Sequence, residues 1–251
     1  MYTIVIPFSG GLDYLKECLE SIKDNLGTEK VEVVLIDNGT PIEYLGERLE
    51  SLYPMLSIQT IRSETNMGFP WAINRGMEQA SGDIIIILNS DTIVTPDWIE
   101  NLSWGLVDGF DTVGPVSNYV AGAQRVIIDS YTDKNTLYEA VRKNSIQESG
   151  KITPVNWIIG VCMMARREVW DDVGTMDESF GLGNSEDLDW CWRANLKGYK
   201  LGIVKDAYIH HYGNVTHRLL NINHEKLLRE NNEKLRKKWQ GLYERYIQQV
   251  I

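Results

Sequence analysis

The chain has 251 residues, 43% of them hydrophobic, with 25 lysines and arginines against 35 acidic residues for a net charge of −10. That length buries a sizeable core in one α/β domain, and the negative field disfavours nucleic acid and anionic lipid as default partners. Cys18, Cys162 and Cys191 are odd in number, widely spaced and set in apolar or helical surroundings, so buried thiols in a reducing compartment are expected rather than a disulfide framework.

Tyr2 to Ile6 reads as an apolar strand that ends at Pro7. The proline and the lack of a basic start argue against a signal peptide, and no apolar run is long enough for a bilayer span. A cytoplasmic protein is expected. The loop Phe8 to Gly11 is Gly-rich but lacks dinucleotide or P-loop spacing. Leu12 to Asn25 has helical spacing through Leu12, Leu15, Leu19 and Ile22. Val31 to Ile36 is a second buried strand, ending in Asp37-Asn38-Gly39. A helix from Pro41 to about Leu52 and a strand near Ile58 follow. This βαβ rhythm predicts a parallel sheet with right-handed crossovers.

Asn66 to Thr92 then joins a Gly-punctuated helix to a strand. Ile84 to Leu88 is β-branched enough for a strand buried on both faces. Asn89, Ser90, Asp91 and Thr92 fall at its carboxyl end, where ligands bind in open α/β sheets. Alone, that segment reads as a turn. Gly114 to Gln124 is a long turn-rich stretch suited to a binding loop or to a plain surface connection. Asp133 to Gln147 reads as a surface helix with a solvated charged face.

Asn156 to Thr216 forms the second informative block. A strand enters a helix from Trp157 to Arg167, and Glu186, Asp187 and Asp189 crowd a helix start, where the helix dipole favours carboxylates. Asp189 stands four residues before Arg193, the spacing of an intrahelical ion pair. Tyr199 to Val204 and Ala207 to Gly213 read as two strands, the second ending in His210-His211, whose side chains should point to opposite sides. From His217 to Gln240 the chain turns helical, with Leu219, Leu220, Leu227, Leu228, Leu235 and Trp239 as a partial apolar stripe. Packing on the main domain is the preferred use, with a homodimer contact or, through the basic run Lys234 to Lys238, a membrane surface as alternatives.

On these residues the chain resembles family 2 glycosyltransferases of the GT-A fold. The first motif is carried by Asn66, Gly68, Phe69, Ala72, Asn74, Gly76, Ala80, Gly82, Asp83, Leu88, Asn89, Asp91 and Thr92. The second is carried by Gly160, Cys162 and Met163, then Gly174, Asp177, Glu178 and Phe180, then Glu186, Asp187, Asp189 and Arg193. The resemblance implies a Rossmann-like α/β domain over 1–216 with a mainly parallel sheet and helices on both faces. Its nucleotide-sugar half would be 1–115 and its acceptor and catalytic half 116–216, followed by a helical extension over 217–251.

The implied activity is inverting, metal-dependent transfer of a sugar from a nucleoside-diphosphate sugar, UDP-linked with dTDP and GDP open, to a hydroxyl of a saccharide, glycolipid or protein-linked acceptor. Implied donor-binding residues are Pro7, Phe8, Ser9, Asp37, Asn66, Gly68, Asn74, Asn89, Ser90 and Asp91. Trp157, Gly160 and Glu186 would meet the acceptor, with Asp187 as general base and Glu186 orienting the attacking hydroxyl. Asp91 and His210 would hold Mn2+ or Mg2+. The resemblance also allows peripheral attachment at the inner membrane face. Two departures stand out. Asn89 replaces the first acid of the family's Asp-x-Asp element, and Phe8-Ser9 replaces an aromatic-Asn pair. The first leaves a second reading open, a non-catalytic nucleotide-sugar or glycan binding module descended from such an enzyme. A nucleotidyltransferase would want two metal-binding acids and a basic first loop, and Ser9-Gly10-Gly11 supplies neither.

Overall fold

Alternating apolar strands and amphipathic helices build the first half of the computed structural model, which describes residues 1–43 and 45–247. Tyr44, inside the helix expected from Pro41, and residues 248–251 of the expected extension lie outside the described residues. The order is β1 (Tyr2–Phe8), α1 (Leu12–Asp24), β2 (Val31–Asn38), α2 (Leu45–Leu52), β3 (Ile58–Ser63), α3 (Phe69–Gln79) and β4 (Ile84–Leu88). The four strands run parallel in the order β3-β2-β1-β4. Along β1, Ile4 and Ile6 join one apolar core with Leu15, Leu19 and Ile22 of α1, while Val5 joins the other with Ala72 and Ile73 of α3. Helices therefore cover both faces, as the near-continuous apolar strands require.

The second half adds β5 (Thr92–Val94), α4 (Trp98–Val107), β6 (Thr112–Ser117), α5 (Lys134–Glu148), β7 (Ile152–Val155), β8 (Cys162–Arg166), α6 (Arg167–Val173), α7 (Glu186–Leu196), β9 (Leu201–His211), α8 (Val215–Leu219), α9 (His224–Lys238) and α10 (Tyr243–Ile247). β8 is inserted antiparallel between β4 and β6, and β9 lies parallel beside β6. β5 and β7 both run antiparallel to β9. Because β8 reverses twice, the carboxyl ends of β1, β2, β4, β6 and β9 all emerge at the same edge of the sheet. That edge carries the cleft described below.

Three details differ from the sequence reading. The two strands expected over 199–213 are one strand, β9, whose register on β6 shifts between Pro115 and Val116. A bulge of this kind is invisible to period counting. The helix α5 is not simply a solvated face, since Leu137 and Val141 pack on Ile203 and Tyr208 of β9. In the carboxyl-terminal segment, Leu219 and Leu220 are 52% and 43% exposed, and the buried face of α9 is Asn231 and Leu235, continued by Trp239. Lys234 and Lys238 are spent on internal contacts, to the Ser179 carbonyl and to Asp177 and Asp189. Leu235 and Trp239 of the expected stripe are buried, whereas Leu219, Leu220 and Leu228 are not, and Asn231 takes a place on the docking face beside them.

No helix among the described residues is long and apolar enough to cross a membrane. The three thiols are free and buried, and burial pushes the Cys18 thiol up to about 12.

The carboxyl-terminal segment is anchored by aromatic stacking. Trp192 of α7, fully buried, lies edge-on to Trp239 and Tyr243 and stacks on Tyr246 at 5.5 Å. Replacing Trp192 by alanine should cost about 3–5 kcal/mol, the usual penalty for emptying an aromatic core site. Urea unfolding of the variant beside the parent chain measures it.

Candidate active site

The carboxyl ends of the strands open into a cleft of about 730 Å³. Pro7, Ser9, Asn38, Asn66, Asn89, Ser90 and Asp91 line it from the first half of the chain. Tyr119, Arg125, Trp157, Gly160, Asn184, Glu186, Asp187 and His211 line it from the second.

Asp91 reaches this cleft because the chain leaves β4, turns, and enters β5, which pairs with the end of β9 so that Thr92 stands opposite His211. His211 Nε2 then lies 3.2 Å from Asp91 Oδ1. The other ring nitrogen, Nδ1, is 2.7 Å from the Tyr119 carbonyl. A carbonyl only accepts, so Nδ1 carries the proton and Nε2 faces the carboxylate. Burial pushes the Asp91 carboxyl up, but the hydrogen bond and charge of His211 and the Val215 N–H overcome it and hold it below the ordinary range. Burial pushes His211 down, and its bond to Asp91 reverses that and raises it. Asn118 fixes the same strand end, accepting from the His211 N–H at 2.8 Å and donating to its carbonyl at 3.1 Å.

The second group sits at the start of α7. Glu186 and Asp187 are 4% and 7% exposed. Asp187 accepts from the Gly160 N–H and from the Leu188 N–H, both at 2.8 Å. Burial drives the Glu186 carboxyl well above its ordinary range and the charge of Asp187 adds to the rise. Burial raises Asp187 too, but the two backbone N–H groups pull against it. Both carboxyls are therefore held above their ordinary range, Glu186 the further of the two. Asp189 is spent on structure: it is fully buried and bonded to Arg193 Nε at 3.0 Å, Lys238 Nζ at 2.8 Å and Trp239 Nε1 at 2.9 Å.

Several expected site residues lie elsewhere. His210 stands across from Ile93 and turns away from Asp91, with Nδ1 bonded to the Tyr131 hydroxyl at 2.7 Å. The histidine that meets Asp91 and lines the cleft is His211, because pairing with β5 sets which face of β9 meets Asp91. Phe8 is a core residue at 1% exposure. Asp37 caps its own turn through the N–H and hydroxyl of Thr40, with Arg62 at 3.6 Å. Gly68 meets protein, since a Cβ there would stand 1.9 Å from the Gly181 carbonyl oxygen. Asn74 ties α3 to the second half, accepting from the Met176 N–H at 2.8 Å and donating to the Met176 carbonyl at 2.9 Å and to Glu178 at 2.8 Å. None of these five side chains lines the cleft. Pro7, Ser9, Asn66, Asn89, Ser90, Asp91, Trp157, Gly160, Glu186 and Asp187 all do.

The sequence reading missed Asn38, Tyr119, Asn184 and His211. Asn38 accepts from the Met67 N–H and donates to Asn66 and to the Gly68 carbonyl, so it shapes the Asn66 loop. Tyr119 lies in the segment read as a binding loop, and its position at the cleft supports that reading.

A pH dependence follows from Glu186. In the unfolded chain it ionises near the ordinary glutamate value of about 4.3, whereas in the fold it keeps its proton to higher pH. Its contribution is therefore complete at low pH and is lost as pH rises through that window, because the folded state then binds more protons than the unfolded. Asp187 acts in the same sense. Glu186→Gln removes the Glu186 effect, so its stability relative to the parent should grow between about pH 4 and pH 8. Urea midpoints at both values test this, and an unchanged difference would contradict a protonated, buried Glu186.

Residues 3–174, more than half of the chain, match the model of glycosyl transferase family 2. Glycosyltransferase AglE of Haloferax volcanii is 25% identical over 212 residues, covering 82% of this chain and 64% of that protein. An N-acetylglucosaminyl-diphospho-decaprenol L-rhamnosyltransferase of Mycobacterium tuberculosis is 24% identical over 238 residues, covering 83% and 75%. Among solved structures, GalNAc-T7 with UDP, GalNAc and Mn2+ superposes with a TM-score of 0.65 at 20% identity, covering 84% of this chain and 43% of that one. The mannosyltransferase PcManGT of Pyrobaculum calidifontis, with GDP-Man and Mn2+, gives 0.65 at 16% identity, covering 93% and 64%. The chain thus spans under two thirds of AglE and less than half of GalNAc-T7. With its mainly parallel sheet, its helices on both faces and its matched motifs, the chain belongs to glycosyl transferase family 2 and has the GT-A fold.

Proposed function

We propose that this protein transfers a sugar from a nucleoside-diphosphate sugar, UDP-linked, to a hydroxyl of a saccharide-bearing acceptor with inversion at the anomeric carbon. The observation that carries this reading is that one cleft is lined both by the Asp91–His211 pair and by a buried Asp187 held by two backbone N–H groups. The relatives named as glycosyltransferases and the fold neighbours solved with UDP or GDP-Man support it.

The donor set fits a divalent cation. His211 Nε2 turns toward a carboxylate while Nδ1 is bonded to a backbone carbonyl, the outer support usual for a metal-binding histidine. Asn89 Oδ1 is a buried cleft oxygen with no partner. A carboxylate, an amide oxygen and an imidazole suit manganese better than magnesium, which prefers oxygen alone. No group of three or more His, Cys, Asp and Glu side chains placed to hold a metal ion occurs among the described residues, so diphosphate and water oxygens would complete the shell. When bound, the ion would neutralise charge growing on the departing diphosphate.

Asp187 would take the proton of the attacking hydroxyl. Its Gly160 and Leu188 bonds leave lone pairs on both carboxylate oxygens and fix their direction. Glu186, holding its proton, would donate to the acceptor and orient it. Pro7 and Ser9, at the end of β1 and just beyond it, and Asn66, after β3, would flank the nucleoside.

Calorimetric titration of UDP, dTDP and GDP, with and without manganese, tests the donor side. One nucleotide should bind in a manganese-dependent way, weaken about 10- to 100-fold in Asp91→Ala and His211→Ala, and stay within about twofold in His210→Ala. Absence of nucleotide binding under every condition would sink the proposal. For the base, Asp187→Asn should keep nucleotide affinity while kcat falls about 10²- to 10⁴-fold, and an intact kcat would remove Asp187 from that role.

A further inference from the structure

Asn184 and Ser185, immediately before Glu186, are consecutive non-glycine residues in the left-handed region, with φ of 75° and 76°. A Cβ makes that conformation unfavourable, so two in succession need outside support. The support comes from α9. Asn231, fully buried, donates through Nδ2 to the carbonyls of Phe180 at 2.8 Å and Gly183 at 2.6 Å. Asn232 Oδ1 accepts from the Ser185 hydroxyl at 2.9 Å, and Lys234 Nζ donates to the Ser179 carbonyl at 2.7 Å. A helix beyond the residues matched to the family model thus grips the backbone of 179–185.

The grip presents two unpartnered polar groups. Asn184 lines the cleft with Nδ2 shut from solvent and bonded to nothing among the described residues. Glu186, 4% exposed, lines it with Oε2 likewise unpartnered among the described residues. Buried donors and acceptors of this kind are normally satisfied. A site built to pair with hydroxyls leaves such groups open until the hydroxyls arrive.

We infer that Asn184, aimed by the α9 clamp, is a specificity-determining residue that binds the acceptor saccharide, donating its amide to a hydroxyl next to the one glycosylated while Glu186 pairs with the same diol. Sugar hydroxyls both donate and accept, so one vicinal pair satisfies the amide N–H and the carboxyl oxygen together. The acceptor rather than the donor is assigned because Asn184 adjoins the Glu186-Asp187 pair, whereas the nucleotide-facing groups cluster around Asp91 and His211. This inference rests on the transferase reading above.

Asn184→Gly provides a clean test, since glycine keeps the left-handed backbone and deletes only the amide. Methyl glycosides of glucose, galactose, mannose, N-acetylglucosamine and rhamnose are titrated by saturation-transfer NMR with manganese and saturating UDP, dTDP or GDP, whichever binds. The parent chain should bind at least one glycoside, and Asn184→Gly should weaken it about 10-fold with nucleotide affinity within about twofold. Asn231→Ala should weaken the same glycoside by loosening the clamp. Unchanged glycoside affinity in Asn184→Gly would overturn the inference, as would a loss of nucleotide affinity in that variant, which would give the amide to the donor. A parent chain that binds nucleotide but no glycoside would overturn the saccharide class while leaving the donor reading intact. Failure to bind any nucleotide would instead count against the transferase reading itself.

Discussion

Burying two adjacent carboxylates at the start of α7 is the constraint around which the site is built. Among the described residues neither Glu186 nor Asp187 has a basic partner, so the fold relies on backbone N–H groups and a helix start, and burial holds both carboxyls above their ordinary range. Gly160 contributes through its N–H, which bonds Asp187. The loop entering α7 places a steric demand on Gly68, where a Cβ would stand 1.9 Å from the Gly181 carbonyl oxygen.

The sheet brings the other group into range. Inserting β8 antiparallel between β4 and β6 keeps the carboxyl ends of the parallel strands on one edge, and pairing β5 with β9 returns the chain after β4 to the far strand. Asp91 and His211 meet only through that return. Asn118 and the Tyr119 carbonyl then lock the histidine, so residues of the loop after β6 contribute by holding a neighbour as well as by lining the cleft.

Comparing the buried polar groups sets architecture beside the cleft. Asp189 and Asn231 are fully buried and Asn74 nearly so, and each makes at least two polar contacts to other elements. Asn89 Oδ1, Asn184 Nδ2 and Glu186 Oε2 are shut from solvent without hydrogen-bond partners among the described residues, and all three residues line the cleft, whereas Asn231 Oδ1 and Asp37 Oδ2 equally lack one away from it. The contacts of the first three specify how α3, α7 and α9 fit together. Position in the cleft, not the missing partner alone, opens the other three to a ligand.

The sequence by itself determined the α/β alternation, because short continuous apolar runs and amphipathic runs of period 3.6 are local properties. It also located Asn89 to Asp91 and Glu186 to Asp187, since polar residues after a buried strand and carboxylates at a helix start are written in contiguous residues, and it identified the Asp189–Arg193 pair from spacing alone. Tertiary structure decided which member of a pair faces the site. His210 and His211 alternate on one strand, and only the register with β5 assigns His211 to Asp91. Asn74 and Gly68 matched a motif yet serve contacts to Met176 and Gly181, more than a hundred residues away. The place of Asn231 on the docking face of α9 was hidden for the same reason. A buried asparagine is indistinguishable from an exposed one until its partners, set by long-range packing, are in place.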